Sequence, residues 1–296
     1  MGTYKRGRPP AEANRRAGRR REVRITNDLK NGIKGLFQNH EFYLCYQPIL
    51  EVKSNKITAV EALVRWKHPE LGMINPEEFI SIAEKSLLIA PLGEWIMEEA
   101  CRQMAAFHQG GWKVAVSVNI SAVQLQQKDF SVRISHILKR YHLEPEFLVL
   151  EMTENALMEY NEIVDNNLRS LTMLGITMAI DDFGTGYNSF ICLQNGLFDN
   201  IKIDKNFILH MSFSANRAII ASMIHLGHEL NMKITAEGVE KEEHYNYLKG
   251  QGCDYIQGYY IGKPLPAEEL WEDRKAGRIE NRDCFAEEAI GNRYHR

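Results

Sequence analysis

The sequence predicts an α/β fold, a closed (β/α)8 barrel whose first two strands form an antiparallel pair. Eight short apolar runs alternate with helix-like segments between residues 42 and 260, which favours a parallel sheet. Most runs are almost continuously apolar, as in strands buried on both faces. Eight such strands in one domain favour a barrel over an open sheet. Only "EVKSNK" separates the first two runs, too short for a crossover helix, so this pair is expected to be a hairpin.

The predicted strands are rich in Val, Ile and aromatic residues. In chain order they are 42–50, 57–66, 113–121, 147–154, 176–184, 200–208, 233–240 and 255–260. Helical periodicity fills the intervals between them. One helical segment starts at Asn75 and Pro76, an N-cap followed by a first-turn proline, and is expected to run to Gly110. Another is "FSANRAIIASMIHLGHELN", with apolar residues at three- and four-residue spacing.

Composition is that of an ordinary globular protein. The 296 residues are 44% hydrophobic and 25% charged, with no apolar run of about 18 residues that would predict a membrane span. The amino terminus lacks the apolar core of a secretory signal. The five cysteines are dispersed without CxxC spacing, which indicates reduced thiols in a cytoplasmic protein rather than disulfides or a zinc site.

Three segments are expected along the chain: a basic, disordered tail or linker over 1–25, the barrel domain over 26–271, and a polar carboxyl-terminal tail over 272–296. Residues 1–25 carry nine Lys and Arg against two Glu, a net charge of +7, so the remainder carries −10 of the overall −3. A solvated tail or linker is the simpler interpretation. The alternative is contact with nucleic acid or an anionic membrane, since "RGRPP" is similar to the arginine core of minor-groove binders.

Polar residues follow the predicted strands at or just beyond their carboxyl ends. A parallel barrel brings these ends to one rim, where the active sites of this architecture lie. One polar residue at a strand end is usually structural, but seven strands share the pattern, which indicates a functional pocket. The pocket candidates are Glu61, Asn119, Glu151, Glu154, Asp181, Asp182, Lys202, Asp204, Glu237, Glu240 and Gln257.

The charge of this pocket predicts bound cations. Six carboxylates carry a total charge of −6 when ionised, those of Glu61, Glu151, Asp181, Asp182, Asp204 and Glu237. So dense a cluster would otherwise raise its own pKa values or destabilise the fold. Two divalent cations with Lys202 supply +5, and oxygen ligands favour Mg²⁺, Mn²⁺ or Ca²⁺ over zinc. Paired cations about 4 Å apart activate water for phosphoryl chemistry. The residues thus predict a metal-dependent phosphate-ester hydrolase without identifying the ester.

The stretch "AIDDFGTGY" places two adjacent aspartates before a glycine-rich turn. Side chains alternate along a strand, so neighbouring residues cannot both face one pocket while the strand continues. The strand is therefore expected to end between Asp181 and Asp182. Asp181 is then the last inward residue, and Asp182 lies where the backbone turns.

The motifs resemble the EAL domain family over roughly residues 40–270. "EALVRW" at 61–66 is the family's signature, and the order and spacing of the other motifs fit as well. These are "YQPI", "SVNIS", "LEMTE", "DDFGTGY", "IKIDK", "AEGVE" and "QGYY". The resemblance implies a TIM-like barrel with one antiparallel strand. It also implies hydrolysis of the bacterial second messenger cyclic di-GMP to linear pGpG.

The resemblance assigns roles to individual residues. Glu61, Asn119, Glu151 and Asp181 would hold one metal, with Asp181 bridging to a second near Asp182, Asp204 and Glu237. Lys202 would orient the attacking water or stabilise developing charge, and Glu237 would be the general base or a metal and water ligand. Glu154 would brace the "DDFGTG" loop. The residues expected to contact the nucleotide are Gln47, Arg65 and Gln257.

The resemblance also implies cofactors and partners. Two Mg²⁺ or Mn²⁺ ions are expected per site, with Ca²⁺ inhibitory. A homodimer is expected through the helix after the "DDFGTG" loop, and an upstream sensory or GGDEF domain would connect through the basic segment. Leu87 stands where the family usually has glycine, and Asn188 and Phe190 replace the commoner serine and leucine.

Two alternatives stay open beside an active phosphodiesterase. A degenerate EAL domain would bind cyclic di-GMP as a receptor without cutting it. Such receptors typically lose a metal ligand or the loop-bracing glutamate, both of which this chain retains. The second alternative gives the basic tail a DNA-binding role, with the barrel as ligand sensor.

Overall fold

The computed structural model describes residues 10–34, 41–186, 193 and 196–279. Two compact units can be distinguished in it. One takes the chain up to Tyr43 together with Arg65–Leu92, and the other takes Leu44–Val64 and the chain from Gly93 onward.

The first unit is built around a long amino-terminal helix. It contains α1 (Pro10–Lys34), β3 (Gly72–Ile74) and α2 (Pro76–Lys85). It also contains the start of β1 (Phe42–Glu51), up to Tyr43, and the end of β2 (Lys56–His68), from Arg65 onward. Ile25 and Leu29, one turn apart on α1, are fully buried. This spacing gives the helix an apolar stripe that faces its packing partners, among them α2.

Charged side chains flank that stripe. The Arg21 guanidinium donates to Glu78 on α2 at 2.6 Å, and Arg24 pairs with Glu70. His68 Nε2 lies 3.1 Å from Asp28 Oδ2. These contacts correct the expectation of a disordered tail over 1–25, because α1 begins at Pro10 and crosses the expected boundary at residue 25. Most of the "RGRPP" stretch lies outside the described residues.

The helical segment that begins at Asn75 is two helices rather than one. Asn75 caps α2 as expected, its Oδ1 accepting from Glu77 N at 3.2 Å. The chain then breaks at Leu87, whose φ of +59° lies in the left-handed region, and α3 (Ile89–Gln109) follows. A left-handed residue ends an α-helix and is usually glycine, so the single periodic run conceals a turn.

The second unit is the barrel. Its remaining strands are β4 (Ala115–Asn119), β5 (Leu148–Thr153), β6 (Thr177–Phe183), β7 (Asn200–Ile203), β8 (Lys233–Ala236), β9 (Tyr255–Gln257) and β10 (Leu265–Pro266). Its further helices are α4 (Ala122–Leu125), α5 (Phe130–Tyr141), α6 (Glu162–Met173), α7 (Lys205–Leu209), α8 (Ser214–Glu229), α9 (Glu242–Gly250) and α10 (Ala267–Lys275). Short 3₁₀ turns occur at Pro145–Phe147 and Glu154–Glu159.

Strand pairing closes the sheet. Seven strands are successive parallel neighbours, in the order β2, β4, β5, β6, β7, β8 and β9. β1 is antiparallel to β9 and also pairs with β2, which completes an eight-stranded ring. The predicted barrel and its antiparallel start are confirmed. The hairpin turn between β1 and β2 includes Asn55, whose φ is +56°, a conformation that asparagine tolerates.

All eight predicted strands are present, and most are shorter than expected. The edge strands β3 and β10 were not predicted, because two- and three-residue pairings carry no periodic signal. The expected dimer helix after the "DDFGTG" loop falls largely on residues 187–195, of which only residue 193 is described. Asn188 and Phe190 lie outside the described residues. The tail expected over 272–296 is helical up to Lys275.

The barrel strands are buried on both faces, as their continuous apolar character predicted. In β5, Leu148, Leu150 and Met152 lie on one face and have no exposed surface, and Glu151 on the other face is 1% exposed. Cys45, Cys101 and Cys253 are buried free thiols. Among the described helices, none is long and apolar enough to cross a membrane.

Candidate metal-binding active site

Strand register brings the predicted acidic residues to one rim. Asn119, the last residue of β4, lies opposite Glu151 of β5. Thr153 of β5 lies opposite Asp181 of β6. These positions are the carboxyl ends of neighbouring parallel strands, so residues far apart in sequence share one pocket. This pocket lies within the second unit.

Lys202 is the central charge of the pocket. Its side chain is 1% exposed, and its Nζ lies 2.7 Å from both Glu151 Oε2 and Glu237 Oε1. Asp181 Oδ1 is 3.3 Å away and Glu61 Oε1 3.9 Å. The ammonium thus contacts carboxylates from β2, β5, β6 and the residue that follows β8.

Burial and mutual repulsion shift the pKa values of these groups. Burial raises the pKa of Glu151 well above its usual range, although Lys202 opposes the shift. Burial alone would lower the pKa of Lys202, but the surrounding carboxylates outweigh it and raise the pKa well above the ordinary value. One ammonium therefore does not neutralise the cluster. A bound cation would lower the pKa values of these carboxyls and favour their ionised forms, so the cluster is a candidate cation site.

The strand carries both adjacent aspartates, which corrects the expected boundary between them. β6 runs through Asp181 and Asp182 to Phe183. Its register against β7 gains one residue between Ile180 and Phe183, and Asp182 has a φ of +53°. An extra residue in a strand is a bulge, which interrupts side-chain alternation. The two neighbouring carboxylates can consequently serve the same pocket.

Asp181, Asp182 and Glu237 form a candidate cation-binding trio. One carboxylate oxygen from each lies within 4.8 Å of the other two. Burial raises the pKa of Asp182 to about 6, and the charges of Asp181 and Asp204 add to the rise. Asp204 also caps α7, where its Oδ1 accepts from Asn206 N at 3.0 Å.

The donor set fits hard divalent cations. Carboxylate oxygens dominate it, and they are the ligands that Mg²⁺, Mn²⁺ and Ca²⁺ prefer. Asn119 Nδ2 donates to Glu61 Oε1 at 2.8 Å, which leaves the Asn119 amide oxygen on the other side of the amide. No cysteine or histidine takes part in the trio. The expected class of metal is therefore compatible with the residues.

Glu61 is held by amide donors on both of its oxygens. Besides Asn119 on Oε1, Gln257 Nε2 donates to Glu61 Oε2 at 2.6 Å. Gln257 Nε2 also lies 3.1 Å from Gln47 Oε1. The structure thus places both predicted nucleotide-contacting glutamines in a buried hydrogen-bond network that includes Glu61.

Two further predicted residues, Glu154 and Arg65, have different surroundings. Glu154 is buried and its Oε2 accepts from Gly186 N at 3.2 Å, the geometry expected of a brace for the "DDFGTG" loop. A Cβ added at Gly186 would lie 2.6 Å from the Glu154 carboxyl carbon. Arg65 lies four residues beyond Glu61 in β2, is partly exposed, and belongs to the first unit.

Two participants were not predicted. Asn206 donates its side-chain amide to Asp204 Oδ1 at 2.8 Å. The Gly262 carbonyl accepts from Gln47 Nε2 at 3.0 Å. The Asp-x-Asn spacing of an N-cap could have indicated the first, whereas a backbone carbonyl leaves no signal in sequence.

The fold and the pocket define a class: TIM-like barrel proteins in which acidic side chains from several strands meet at one rim and could hold cations. The sequence model of the EAL domain matches residues 27–264. This chain belongs to the EAL domain family, which confirms the resemblance.

Two enzymes of Pseudomonas aeruginosa are similar in sequence to most of this chain. The bifunctional diguanylate cyclase/cyclic di-GMP phosphodiesterase MucR of Pseudomonas aeruginosa is 37% identical over 263 residues, which are 88% of this chain and 38% of MucR. The cyclic di-GMP phosphodiesterase NbdA of the same organism is 35% identical over 262 residues, 87% of this chain and 34% of NbdA. This chain therefore spans about a third of the length of these relatives.

A solved structure shows the same fold. The PaMucR phosphodiesterase in complex with c-di-GMP has a TM-score of 0.76 and 38% sequence identity to this chain. The similarity covers 82% of this chain and 99% of that one.

Proposed function

We propose that this chain is a phosphodiesterase that hydrolyses cyclic di-GMP to linear pGpG with Mg²⁺ or Mn²⁺. The observation that carries the proposal is the acidic pocket, in which four carboxylates, from Glu61, Glu151, Asp181 and Glu237, lie within 3.9 Å of Lys202 Nζ. Similarity to named cyclic di-GMP phosphodiesterases supports this substrate.

The residues divide between two cation positions. Glu61, Asn119, Glu151 and Asp181 would hold one cation, and Asp181 with Asp182, Asp204 and Glu237 would surround the other. When bound, such a pair supplies an activated water and stabilises the leaving oxygen. The Lys202 ammonium, donating at 2.7 Å to Glu151 and Glu237, holds both carboxylates in place. It also presents a fixed positive charge to the phosphodiester.

The proposal includes the assembly and the location of the enzyme. Two copies would pair through the helix that follows the "DDFGTG" loop, as is expected for the family. The substrate is a bacterial second messenger, so the activity would serve cytoplasmic signalling. Gel filtration with light scattering tests the dimer, and a purely monomeric protein at micromolar concentration would contradict it.

The activity is tested by incubating the purified protein with cyclic di-GMP and Mg²⁺ or Mn²⁺ and separating the nucleotides by chromatography. Formation of pGpG is expected. Tight binding of cyclic di-GMP without pGpG would favour the receptor alternative instead. A loss of salt-dependent DNA affinity after deletion of residues 1–25 would be needed to support a DNA-binding tail.

Glu61→Ala removes a carboxylate that is expected to hold a cation. We expect hydrolysis to fall more than about 100-fold, beyond the typical effect of removing a supporting residue, because a ligand itself is lost. The matched control is Glu268→Ala, an exposed glutamate on α10, which should retain full activity. Turnover by Glu61→Ala within a few-fold of wild type would refute its role.

A further inference from the structure

Asn206 holds one oxygen of the Asp204 carboxylate with two N–H groups. Its side-chain Nδ2 donates to Asp204 Oδ1 at 2.8 Å, and its backbone N donates to the same oxygen at 3.0 Å. Within the described part of the chain, both hydrogen bonds to this carboxylate end on Oδ1 and none ends on Oδ2. Asp204 is buried, with 4% of its surface exposed. Its two oxygens therefore have different surroundings.

The lone pairs of Asp204 decide what each oxygen can offer to a cation. A carboxylate has about four lone-pair sites, two on each oxygen. The two N–H groups of Asn206 use both sites on Oδ1, so a cation binds Oδ1 only if one of these hydrogen bonds breaks. Oδ2 keeps both of its sites. Asp204 is thus arranged to offer a cation one oxygen rather than two.

The backbone around Asp204 is fixed on both sides. Before it, the Ile203 carbonyl accepts from Glu237 N at 3.1 Å. After it, Lys205 packs so closely on Gly238 that a Cβ added to the glycine would lie 2.6 Å from Lys205 Cβ. The chain itself has little room to shift, so the direction of the carboxylate depends on rotation of the Asp204 side chain. Asn206 restrains that rotation.

Asp204 acts electrostatically on the candidate cation-binding trio. Its charge adds to the rise in the pKa of Asp182, one member of the trio. The loop that carries Glu237, another member, is hydrogen-bonded to the residue before Asp204. A change in the Asp204 carboxylate should therefore be detected in the binding of a cation to the trio.

Mg²⁺ and Ca²⁺ use a carboxylate differently. Mg²⁺ demands near-octahedral coordination at about 2.0–2.1 Å, whereas Ca²⁺ takes about six to eight oxygens at longer distances and accepts both oxygens of one carboxylate. Selectivity between the two ions is set by the number and the flexibility of the ligands. A restrained carboxylate that offers one oxygen suits the smaller ion and denies Ca²⁺ a ligand.

We propose that Asn206 is a positioning residue for Asp204 and makes the pocket favour Mg²⁺ over Ca²⁺. The inference rests on the proposed function for the assignment of Asp204 to a cation. Loss of the Asn206 amide frees a lone pair on Oδ1 and lets the carboxylate turn, and both changes favour Ca²⁺. The backbone N–H of Asn206 stays on Oδ1 in any variant, so the N-cap of α7 is retained.

The experiment measures cation binding without nucleotide in wild type, Asn206→Ala and Asn206→Asp. Electron paramagnetic resonance follows free Mn²⁺, and Mg²⁺ and Ca²⁺ are titrated separately to displace bound Mn²⁺. Removing a group that orients a metal ligand typically costs about 10–100-fold in metal affinity. For Asn206→Ala we expect about a tenfold loss of Mg²⁺ affinity, with Ca²⁺ affinity unchanged or higher. Asn206→Asp keeps the side-chain shape but replaces the donor with an acceptor, so the ratio of the two affinities should shift in the same direction.

Two controls separate positioning from a general structural effect. Asn216→Ala also removes an amide hydrogen bond, from Asn216 Nδ2 to the His210 carbonyl at 3.1 Å, and should leave the ratio of Mg²⁺ to Ca²⁺ affinity unchanged. In an Asp204→Ala background, Asn206→Ala should change the ratio no further, because Asn206 acts through Asp204. An equal loss of both affinities in Asn206→Ala, or an unchanged ratio, would overturn the inference. Asn206→Asp gives the same test if Asn206→Ala does not fold.

The remaining outcomes distinguish this inference from the proposed function. Wild-type protein that binds Mg²⁺ no more tightly than Ca²⁺ would overturn the inference. In the hydrolysis of cyclic di-GMP, Asn206→Ala should need about tenfold more Mg²⁺ than wild type to relieve inhibition by Ca²⁺. Wild-type protein that prefers Mg²⁺, loses the preference on Asn206→Ala, yet hydrolyses no cyclic di-GMP would refute only the proposed function.

Discussion

At the scale of single residues, Lys202 shows how charge is balanced in the pocket. A buried ammonium is stable only with partners, and its Nζ has four carboxylates within 3.9 Å. The carboxylates in turn need the ammonium, or cations, to remain ionised away from water. The two kinds of charge therefore stabilise each other.

Lys202→Met should destabilise the metal-free protein by about 3–5 kcal/mol, because removing one partner of a buried ion pair leaves the others uncompensated. Mg²⁺ or Mn²⁺ should restore more stability to this variant than to wild type. Denaturant unfolding with and without cation measures both effects. Lys233→Met is the control, since Lys233 makes an exposed ion pair of about 0–1 kcal/mol. An equal loss in the two variants would contradict this view of the pocket.

Leu87 is a residue-scale departure from the family pattern with a local cost. It has a φ of +59° and is 67% exposed, so it accepts backbone strain and buries little apolar surface. Leu87→Gly should therefore raise the free energy of unfolding by about 1 kcal/mol, since strain of 1–3 kcal/mol is relieved and the added freedom of the unfolded chain offsets part of it.

Thermal and denaturant unfolding of Leu87→Gly check this expectation. The matched control is Lys85→Gly, at an exposed position in the last turn of α2, which should lose about 1 kcal/mol. Destabilisation of both variants alike would show that the left-handed conformation of Leu87 is not strained.

At the scale of elements, a bulge in β6 decides what adjacent aspartates can do. A regular strand would turn Asp182 away from Asp181, whereas the extra residue brings both carboxylates near Glu237. The irregularity lies at the carboxyl end of the strand, where barrel active sites lie. The element is thus regular where it builds the barrel and irregular where it builds the site.

Asp254 joins α8 to the amino end of β8, which is the end away from the acidic pocket. Its Oδ2 lies 2.8 Å from His228 Nε2 on α8, and its Oδ1 accepts from Lys233 Nζ on β8 at 2.8 Å. Burial alone would raise the pKa of Asp254, but the hydrogen bonds from Lys233 and His228 outweigh it and lower the pKa. A lowered folded-state pKa means that the ionised form stabilises the fold.

Asp254→Asn should therefore cost about 1–3 kcal/mol at pH 7, the range for losing hydrogen bonds to a charged group. The stabilisation is complete above the unfolded pKa near 4 and disappears as pH falls through the lower folded-state pKa. Urea unfolding from pH 7 down to about pH 3 should show the difference from wild type shrinking. A difference independent of pH would exclude a charge effect. Asp129→Asn, at an exposed pair, serves as control.

At the scale of the whole molecule, the barrel gathers an acidic set from strands spread over most of the chain. The candidate cations all carry a charge of +2, so the activity that each one supports should depend on its coordination geometry. Ca²⁺ accepts six to eight oxygen ligands at longer distances, whereas Mg²⁺ demands near-octahedral coordination. A site poised for the smaller ion should bind Ca²⁺ in an unproductive arrangement.

Ca²⁺ added to the Mg²⁺-supported reaction should inhibit pGpG formation, and excess Mg²⁺ should reverse the inhibition by competition. Initial rates over a matrix of both cations measure this. A matched increase in ionic strength with NaCl controls for screening. Undiminished activity in excess Ca²⁺ would count against the paired-cation geometry.

Much of the site could be predicted because each acidic residue directly follows an apolar run. Glu151 and Asp181 are examples, because the apolar run before each of them predicts both a strand and the position at which that strand ends. The hydrogen-bond partners of Gln47 and Gln257 could not be predicted in this way. Their partners lie 215 and 196 residues away, respectively, and no local pattern records a contact at such a separation.

By itself the sequence determined the succession of strands and helices, the hairpin at the start of the barrel and the acidic residues at the strand ends. These depend on periodicity and on short connections, which are local properties. Only the tertiary structure decided that α1 packs along Ile25 and Leu29, that β6 bulges at Asp182, and that Asn119 and Gln257 donate to Glu61. Those features depend on register and on which donor meets which acceptor, and both are set only when distant strands and helices pack together.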